Sequence, residues 1–245
     1  MPKLYKVGGC VRDKILGIES NDIDFTFVLD DLNESVEEGF AFMEKWMTDR
    51  KFEIFLSTPA MFTIRARFPK DNINAGLIAD FVMARKETGY IEGTRKPILA
   101  LGNLEDDLIR RDFTLNAIAE AEDGTLIDLY NGIEDLNDRI LKTPLPAAQT
   151  MMDDPLRILR ALRFSITKGF VIHSDIWRAM EQGPILNKLE KTVSKERIRE
   201  EVMKMMKHNT VMTMKTFMHI ERSIPGFLNL VFGNDMWLKP TLEKR

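Results

Sequence analysis

Two aspartates one residue apart, Asp22-Ile23-Asp24, follow a glycine pair, Gly8-Gly9, and an arginine, Arg12. The run from Asp22 through Phe25-Thr26-Phe27-Val28 is rich in β-branched and aromatic residues and reads as a strand. Side chains alternate across a strand, so both carboxylates leave one face. Paired hard oxygen donors suit Mg²⁺ bound together with the phosphates of a nucleotide. A Gly-Gly turn ahead of a helix lets backbone N–H groups approach phosphate closely, and Arg12, in that helix's first turn, can reach the same group. The chemistry on offer is phosphoryl or nucleotidyl transfer by in-line displacement assisted by two metal ions. One ion lowers the pKa of an attacking hydroxyl; the other neutralises the triphosphate and the leaving pyrophosphate. Asp80, opening Asp80-Phe81-Val82-Met83, is the candidate for a further acidic ligand.

Two more clusters carry charge in a pattern. In Leu104-Glu105-Asp106-Asp107-Leu108-Ile109-Arg110-Arg111-Asp112, adjacent helical residues differ by about 100° in direction, so Arg110 and Arg111 cannot share a face. One arginine is expected to face the site while the other pairs with Asp106 or Asp107. In Asp153-Asp154-Pro155-Leu156-Arg157-Ile158-Leu159-Arg160-Ala161-Leu162-Arg163, Asp154 reads as an N-cap and Pro155 as the first helical residue. Arg157, Arg160 and Arg163 then recur every three residues, winding slowly round the helix. An Asp beside an Arg sets an acceptor next to a donor. Cytosine and adenine present the complementary order, an amino donor beside a ring-nitrogen acceptor, whereas uracil and guanine present the reverse. A bidentate contact of this kind discriminates by about 1–3 kcal/mol.

These residues need a sheet to hold the carboxylates and helices to hold the arginines. Residues 4–7 and 23–29 read as strands around a short helix at 11–17, with a longer helix from Glu34 to Arg50. Strands are expected at 52–57, 61–68 and 77–83, and a polar Gly/Pro-marked loop at 89–102. An Asp123-Gly124 turn precedes 125–129, helices are expected at 152–168, 174–182 and 193–208, and an irregular tail from Gly233. The fold class is α+β: a mixed sheet flanked by helices, then helices alone. The 245 residues accommodate one catalytic unit and a smaller helical one.

Composition excludes several classes. No apolar run approaches the roughly 20 residues that span a bilayer, so no membrane partner is expected. A single cysteine, Cys10, excludes an internal disulfide, implies no disulfide-linked partner and fits a reducing cytoplasm. It reads as a small buried filler. His173, His208 and His219 are too scattered for a His-rich metal site. Net charge is −3, so any nucleic-acid substrate requires a local basic track rather than a global field.

The segments VGGCVRDKILG, NDIDF, LEDDLIRRDFTLNAIA, DLYNGIEDLNDRIL and DDPLRILRALRF occur in order over most of 4–170, with SKERIREEVMKM beyond. Together they resemble the class II tRNA nucleotidyltransferases, the CCA-adding enzymes and their poly(A) polymerase relatives. The resemblance implies a nucleotidyltransferase head at 1–130, a helical neck with a nucleotide-selection helix at 131–210, and a short partial body or tail at 211–245. It implies Asp22 and Asp24 as catalytic metal ligands and Gly9, Arg12 and Arg111 at the nucleotide. It also implies Asp154 and Arg157 as the protein template for CTP and ATP, supported by Arg160 and Arg163. The implied reaction adds C, C and A to the 3′ end of tRNA with Mg²⁺ and without a nucleic-acid template. A-adding, CC-adding and poly(A)-synthesising relatives share the head motifs, and a non-catalytic nucleotide- or RNA-binding module is the remaining alternative. Asp153 stands where the family usually has Glu, which leaves the reading Asp154 in place. The resemblance also implies a compact, C-terminally shortened member.

Overall fold

The structure, a computed structural model, describes residues 2–20, 22–30, 35–90 and 97–233. Its first half follows the alternation of the sequence. Strand β1 (Lys3–Val7) leads through α1 (Gly9–Ile15) to β2 (Asp24–Val28), and α2 (Val36–Asp49) leads to β3 (Glu53–Thr58), β4 (Thr63–Arg67) and β5 (Ile78–Met83). Ser35 starts α2 by a capping box: its hydroxyl accepts the Glu38 amide while the Glu38 carboxylate accepts the Ser35 amide.

Of the segment read as a loop at 89–102, the described residues are largely strand. Strand β6 (Arg85–Tyr90) pairs antiparallel with β7 (Pro97–Leu101), and residues 91–96 lie outside the described residues. Gly and Pro punctuate the ends of this ribbon, whereas the apolar run that closes it, ending in buried Leu101, is strand-forming. After α3 (Leu104–Ile109), β8 (Ile118–Glu120) and β9 (Leu126–Asp128) return to the main sheet. That sheet has seven strands in the order β3-β4-β5-β2-β1-β8-β9, with β2 and β5 parallel and the other pairings antiparallel.

One sheet face is sealed by α2, whose Val36, Phe40, Met43 and Met47 pack on Phe25, Phe27, Ile64 and Phe81. Each buried aromatic or aliphatic side chain contributes about 1.5–3 kcal/mol, which fixes the register of β2 and sends Asp24 to the opposite face. On that face α3 covers the β1–β8 side, where Leu108 meets Val7, Ala117 and Ala119, and reaches Thr26 of β2 through Asp107. Cys10 is buried beside Val11 and Ile118 and donates its thiol to the Val7 carbonyl, as a filler should.

The chain divides into two compact units between Glu134 and Asp135, inside α4 (Gly132–Asn137). Both Asp128 carboxylate oxygens cap α4, accepting the amides of Gly132 and Ile133. Among its described residues the second unit is helical apart from a parallel pairing of β10 (Ile140–Leu141) with β11 (Val171–Ile172). Its helices are α5 (Ala147–Asp153), α6 (Arg157–Lys168), α7 (Ser174–Met180), α8 (Gly183–Thr192), α9 (Lys195–Ser223) and α10 (Phe227–Phe232).

Two helix expectations are corrected. The helix read at 152–168 is α5 and α6, broken at Asp154 (φ −133, ψ 100), because the residue before proline is pushed out of the helical region. The helix read at 193–208 runs on to Ser223 with an interruption at Asn209 (φ −156, ψ 94). Asn209 restarts it as a cap, its side chain accepting the Met212 amide. Phe217 of this continuation packs edge-on against Phe227 and Phe232 at 5.6 and 5.8 Å. Of the expected irregular tail, 234–245 lies outside the described residues. No described helix is long and apolar enough to cross a membrane.

Candidate active site

Strand β2 presents the candidate carboxylates. With Phe25 and Phe27 committed to the core, Asp24 and Thr26 stand on the other face, and Asp22 sits just ahead in the exposed approach to the strand. The ladder to β5 extends upstream, the Asp80 amide donating to the Ile23 carbonyl at 3.0 Å, and it sets Asp80 directly beside Asp24. Burial, then the neighbouring Asp22 carboxylate, push the Asp24 carboxyl up from 3.8 to about 6; Asp80 adds to this, while Arg111 and Arg65 oppose it. Asp80, the expected third acidic ligand, pairs with Arg65 of β4 at 3.0 Å.

Gly8 closes the site on the β1 side. Its φ of +77° is a conformation that glycine adopts without penalty, and a β-carbon there would lie 2.9 Å from Arg111 Nη1 and 3.8 Å from Asp24 Oδ2. The missing side chain therefore lets the Arg111 guanidinium and the Asp24 carboxylate flank the backbone of the turn. Arg111 is aimed by Asp107, which is 0% exposed and accepts from Arg111 Nη2 at 2.7 Å, from Thr26 Oγ1 at 2.7 Å and from Arg110 Nη2. Burial opposes the Asp107 charge, but the Arg111 and Arg110 guanidiniums with two hydrogen bonds outweigh it and hold the carboxyl far below the usual range.

Both arginines thus share one carboxylate, contrary to the expectation that only one would pair. Residues three and four ahead on a helix straddle the same ridge, so Arg110 and Arg111 reach Asp107 from two sides. Asp106 instead caps α3, accepting the Asn103 amide.

Arg12 is 6% exposed, its guanidinium donating to Asn116 Oδ1 at 2.6 Å and Asp13 Oδ1 at 2.9 Å, next to the Gly9 α-carbon. Asn116 in turn donates to Asp112 at 2.9 Å, which ties α1 to the segment after Arg111. The expected phosphate contact of Arg12 therefore starts from a side chain already built into the wall under the glycine turn.

Asp154, Arg157, Arg160 and Arg163 lie in the second unit. Asp154 Oδ1 accepts the Leu156 amide and Oδ2 pairs with Arg197 at 3.1 Å. Arg157 Nη1 donates to the Thr150 carbonyl at 3.1 Å, fixing its stem across the α5–α6 break. Arg163 pairs with buried Glu201 of α9 and stacks on Phe164 at 4.6 Å, while Arg160 lies 4.0 Å from the same Glu201. The four residues therefore split in two: Asp154 and Arg157 flank the helix break, and Arg160 and Arg163 bind α6 to α9.

Among the described residues no group of three or more His, Cys, Asp or Glu side chains forms a ready cation cage. The donor set is two hard carboxylates, Asp22 and Asp24, whose mutual repulsion raises Asp24. A divalent cation relieves that repulsion, and Mg²⁺ is held by one or two carboxylates with phosphate and water completing its shell. The residues fit that ion.

Thr26 and Asn116 complete the site without having stood out in the sequence. Gly8 was read there as half of the glycine pair, and Asp107 as one of two candidate partners for an arginine.

A model of the poly(A) polymerase head domain matches residues 4–142. The chain is 33% identical over 213 residues to the mitochondrial CCA tRNA nucleotidyltransferase of Saccharomyces cerevisiae, covering 81% of this chain and 37% of that protein. It is 35% identical over 190 residues to the multifunctional CCA protein of Pseudomonas fluorescens, covering 74% and 39% respectively. Among solved structures, the Bacillus stearothermophilus CCA-adding enzyme in complex with CTP superposes with a TM-score of 0.68 and 26% identity, over 99% of this chain and 51% of that one. The chain spans less than half the length of these curated relatives. The match over more than half of its residues, on the segments that build the carboxylate site, shows that the chain belongs to the poly(A) polymerase head-domain family.

Proposed function

We propose that the chain is a nucleotidyltransferase that adds C, C and A, from CTP and ATP, to the 3′ end of tRNA and releases pyrophosphate. The observation that carries this reading is the Asp22/Asp24 pair beside Gly8, with Arg111 held against it by buried Asp107. The similarity to CCA-adding proteins supports the same reading.

In this reading Asp22 and Asp24 hold Mg²⁺, which when bound supplies activation of the attacking hydroxyl and neutralisation of phosphate charge. The chain's own residues do the rest. The backbone at Gly8-Gly9, free of side chains, admits the triphosphate to the turn. Arg111 stands beside Asp24 with a charge that the phosphate oxygens need as the transferring phosphorus is attacked. Asp107 keeps that guanidinium oriented, so little reorganisation accompanies the step. Asp154 accepts from the amino group of cytosine or adenine and Arg157 donates to the adjacent ring nitrogen. The exposed Asp154–Arg197 pair is exchanged for the base, a modest cost for a solvent-facing pair. The unit 1–134 then acts as catalytic head, and the unit 135–245 carries the base-reading helix.

The test is incorporation of labelled CTP, ATP, UTP and GTP, singly and together, with Mg²⁺. Acceptors are tRNAs ending before CCA, after one C and after two Cs, and an unrelated RNA oligomer. Ordered C, C, A addition confined to tRNA supports the proposal. A added only to the CC-ended tRNA, or runs of A on any RNA, replaces it with a specialised relative. No incorporation overturns it.

A further inference from the structure

Among the described residues, the sheet face that bears Asp24 continues partly exposed across β5, β4 and β3. Pairing sets Asp24 beside Asp80, Asp80 beside Arg65, and Arg65 beside Leu56, one straight row over four strands. At the strand spacing of a sheet, that row runs about 14 Å from the carboxylates to the edge. Leu56 is 58% exposed, and a bulge in β3 turns Phe55, 45% exposed, to the same side. Arg67, one step along β4 from Arg65, stacks over the Phe55 ring at 5.0 Å. An edge strand that shows two large apolar side chains is a liability unless something covers them.

We propose that this open face is the platform for the unpaired 3′ strand of the RNA acceptor, with Phe55 stacking a base and Arg65 and Arg67 meeting the phosphates. The inference rests on the proposed transfer to RNA. Three observations select single-stranded RNA as the occupant. The row ends on the carboxylate where the acceptor's terminal hydroxyl must arrive. It combines exposed aromatic and guanidinium groups, the composition of sequence-tolerant single-strand platforms. And its two guanidiniums, Arg65 and Arg67, each facing a carboxylate and partly exposed, are what it offers to phosphate in a chain of net charge −3. The pairing partners of the arginines leave room for phosphate. Arg65 contacts Asp80 through Nη1, and Arg67 contacts Glu53 through Nη1, both half-exposed, so the remaining guanidinium edge faces outward.

The experiment measures acceptor KM, CTP KM and kcat for the full chain and for Phe55→Ala, Phe55→Trp and Arg67→Ala, using tRNA ending before CCA. Loss of one stacked base raises acceptor KM roughly ten-fold in Phe55→Ala. Phe55→Trp restores it, and CTP KM stays constant. Arg67→Ala raises acceptor KM and lowers the steepness of its salt dependence. Incorporation by the unmodified chain with acceptor KM unchanged in Phe55→Ala and Arg67→Ala overturns the platform and leaves the function standing; a protein partner on this face would give that result. Equal rises in acceptor and CTP KM, without rescue by tryptophan, reveal a merely structural role and also overturn it. No incorporation by the unmodified chain overturns the function and the platform together.

Discussion

Asp24→Asn should stabilise the metal-free protein while abolishing transfer. The carboxyl of Asp24 is pushed from 3.8 to about 6 by burial and by Asp22. Ionising it in the folded chain therefore costs about 3 kcal/mol relative to the unfolded chain. At low pH both states hold the proton and the cost is absent. Between about pH 4 and pH 6 the unfolded chain releases its proton while the folded chain retains it, so stability falls through that window and levels off above it. Asparagine keeps the shape and never ionises. In EDTA at pH 7.5 the variant should melt roughly 5–10 °C above the wild type, and at pH 4 the gap should close. Mg²⁺ at pH 7.5 should raise the wild-type midpoint, by offsetting the carboxylate repulsion, and leave the variant unmoved. Differential scanning calorimetry at the two pH values, with and without Mg²⁺, reads all of this. An Asp24→Asn protein that melts at or below the wild type in EDTA at pH 7.5 would refute the reasoning. A gap of equal size at pH 4 and pH 7.5 would do the same.

Asp107→Ala should cost about 3–5 kcal/mol in urea titrations, because it leaves two guanidiniums facing a buried void. Since the Asp107 carboxyl is held low in the folded state, its contribution is present above about pH 4 and lost on acidification, so Asp107→Asn should flatten the acid limb of the stability profile. Gly8→Ala should cost about 1–2 kcal/mol from its φ of +77° alone. It should also lower kcat, because the new methyl displaces Arg111; normal kcat would contradict the close approach. Arg157→Ala should weaken discrimination against UTP and GTP by about ten-fold or more, read as the ratio of misincorporation to correct incorporation. Unchanged fidelity with normal use of CTP and ATP would remove Arg157 from base reading.

The strands and the carboxylate pair were legible because their signals are local. Alternation in 23–29 dictates which side chains enter the core, and with Phe25 and Phe27 inside, Asp24 has one place to go. Asp107 was legible only as one of two candidate partners for an arginine, because its bond to Thr26 spans 81 residues and nothing in Glu105-Asp106-Asp107 says which acid turns inward. The ribbon at 85–101 was hidden by Gly and Pro at its ends, and its pairing is visible only once both strands are set side by side. Asp154 was read as a cap and does accept a nearby amide, yet Arg157 opens the helix two residues later than Pro155 suggested. Arg163 was placed beside the template residues, as a support, by the resemblance; its guanidinium pairs with Glu201, 38 positions on, a partner that no local spacing reveals.

In the proposed reaction Asp22 and Asp24 carry nucleotidyl transfer to RNA. The most direct test is extension of tRNA ending before CCA by the wild type, Asp22→Asn and Asp24→Asn, with CTP, ATP and Mg²⁺. Product length and pyrophosphate release would be followed together. The expected outcome is ordered addition with stoichiometric pyrophosphate by the wild type, and neither signal from the two variants although both remain folded. Extension by either variant at the wild-type rate would contradict it.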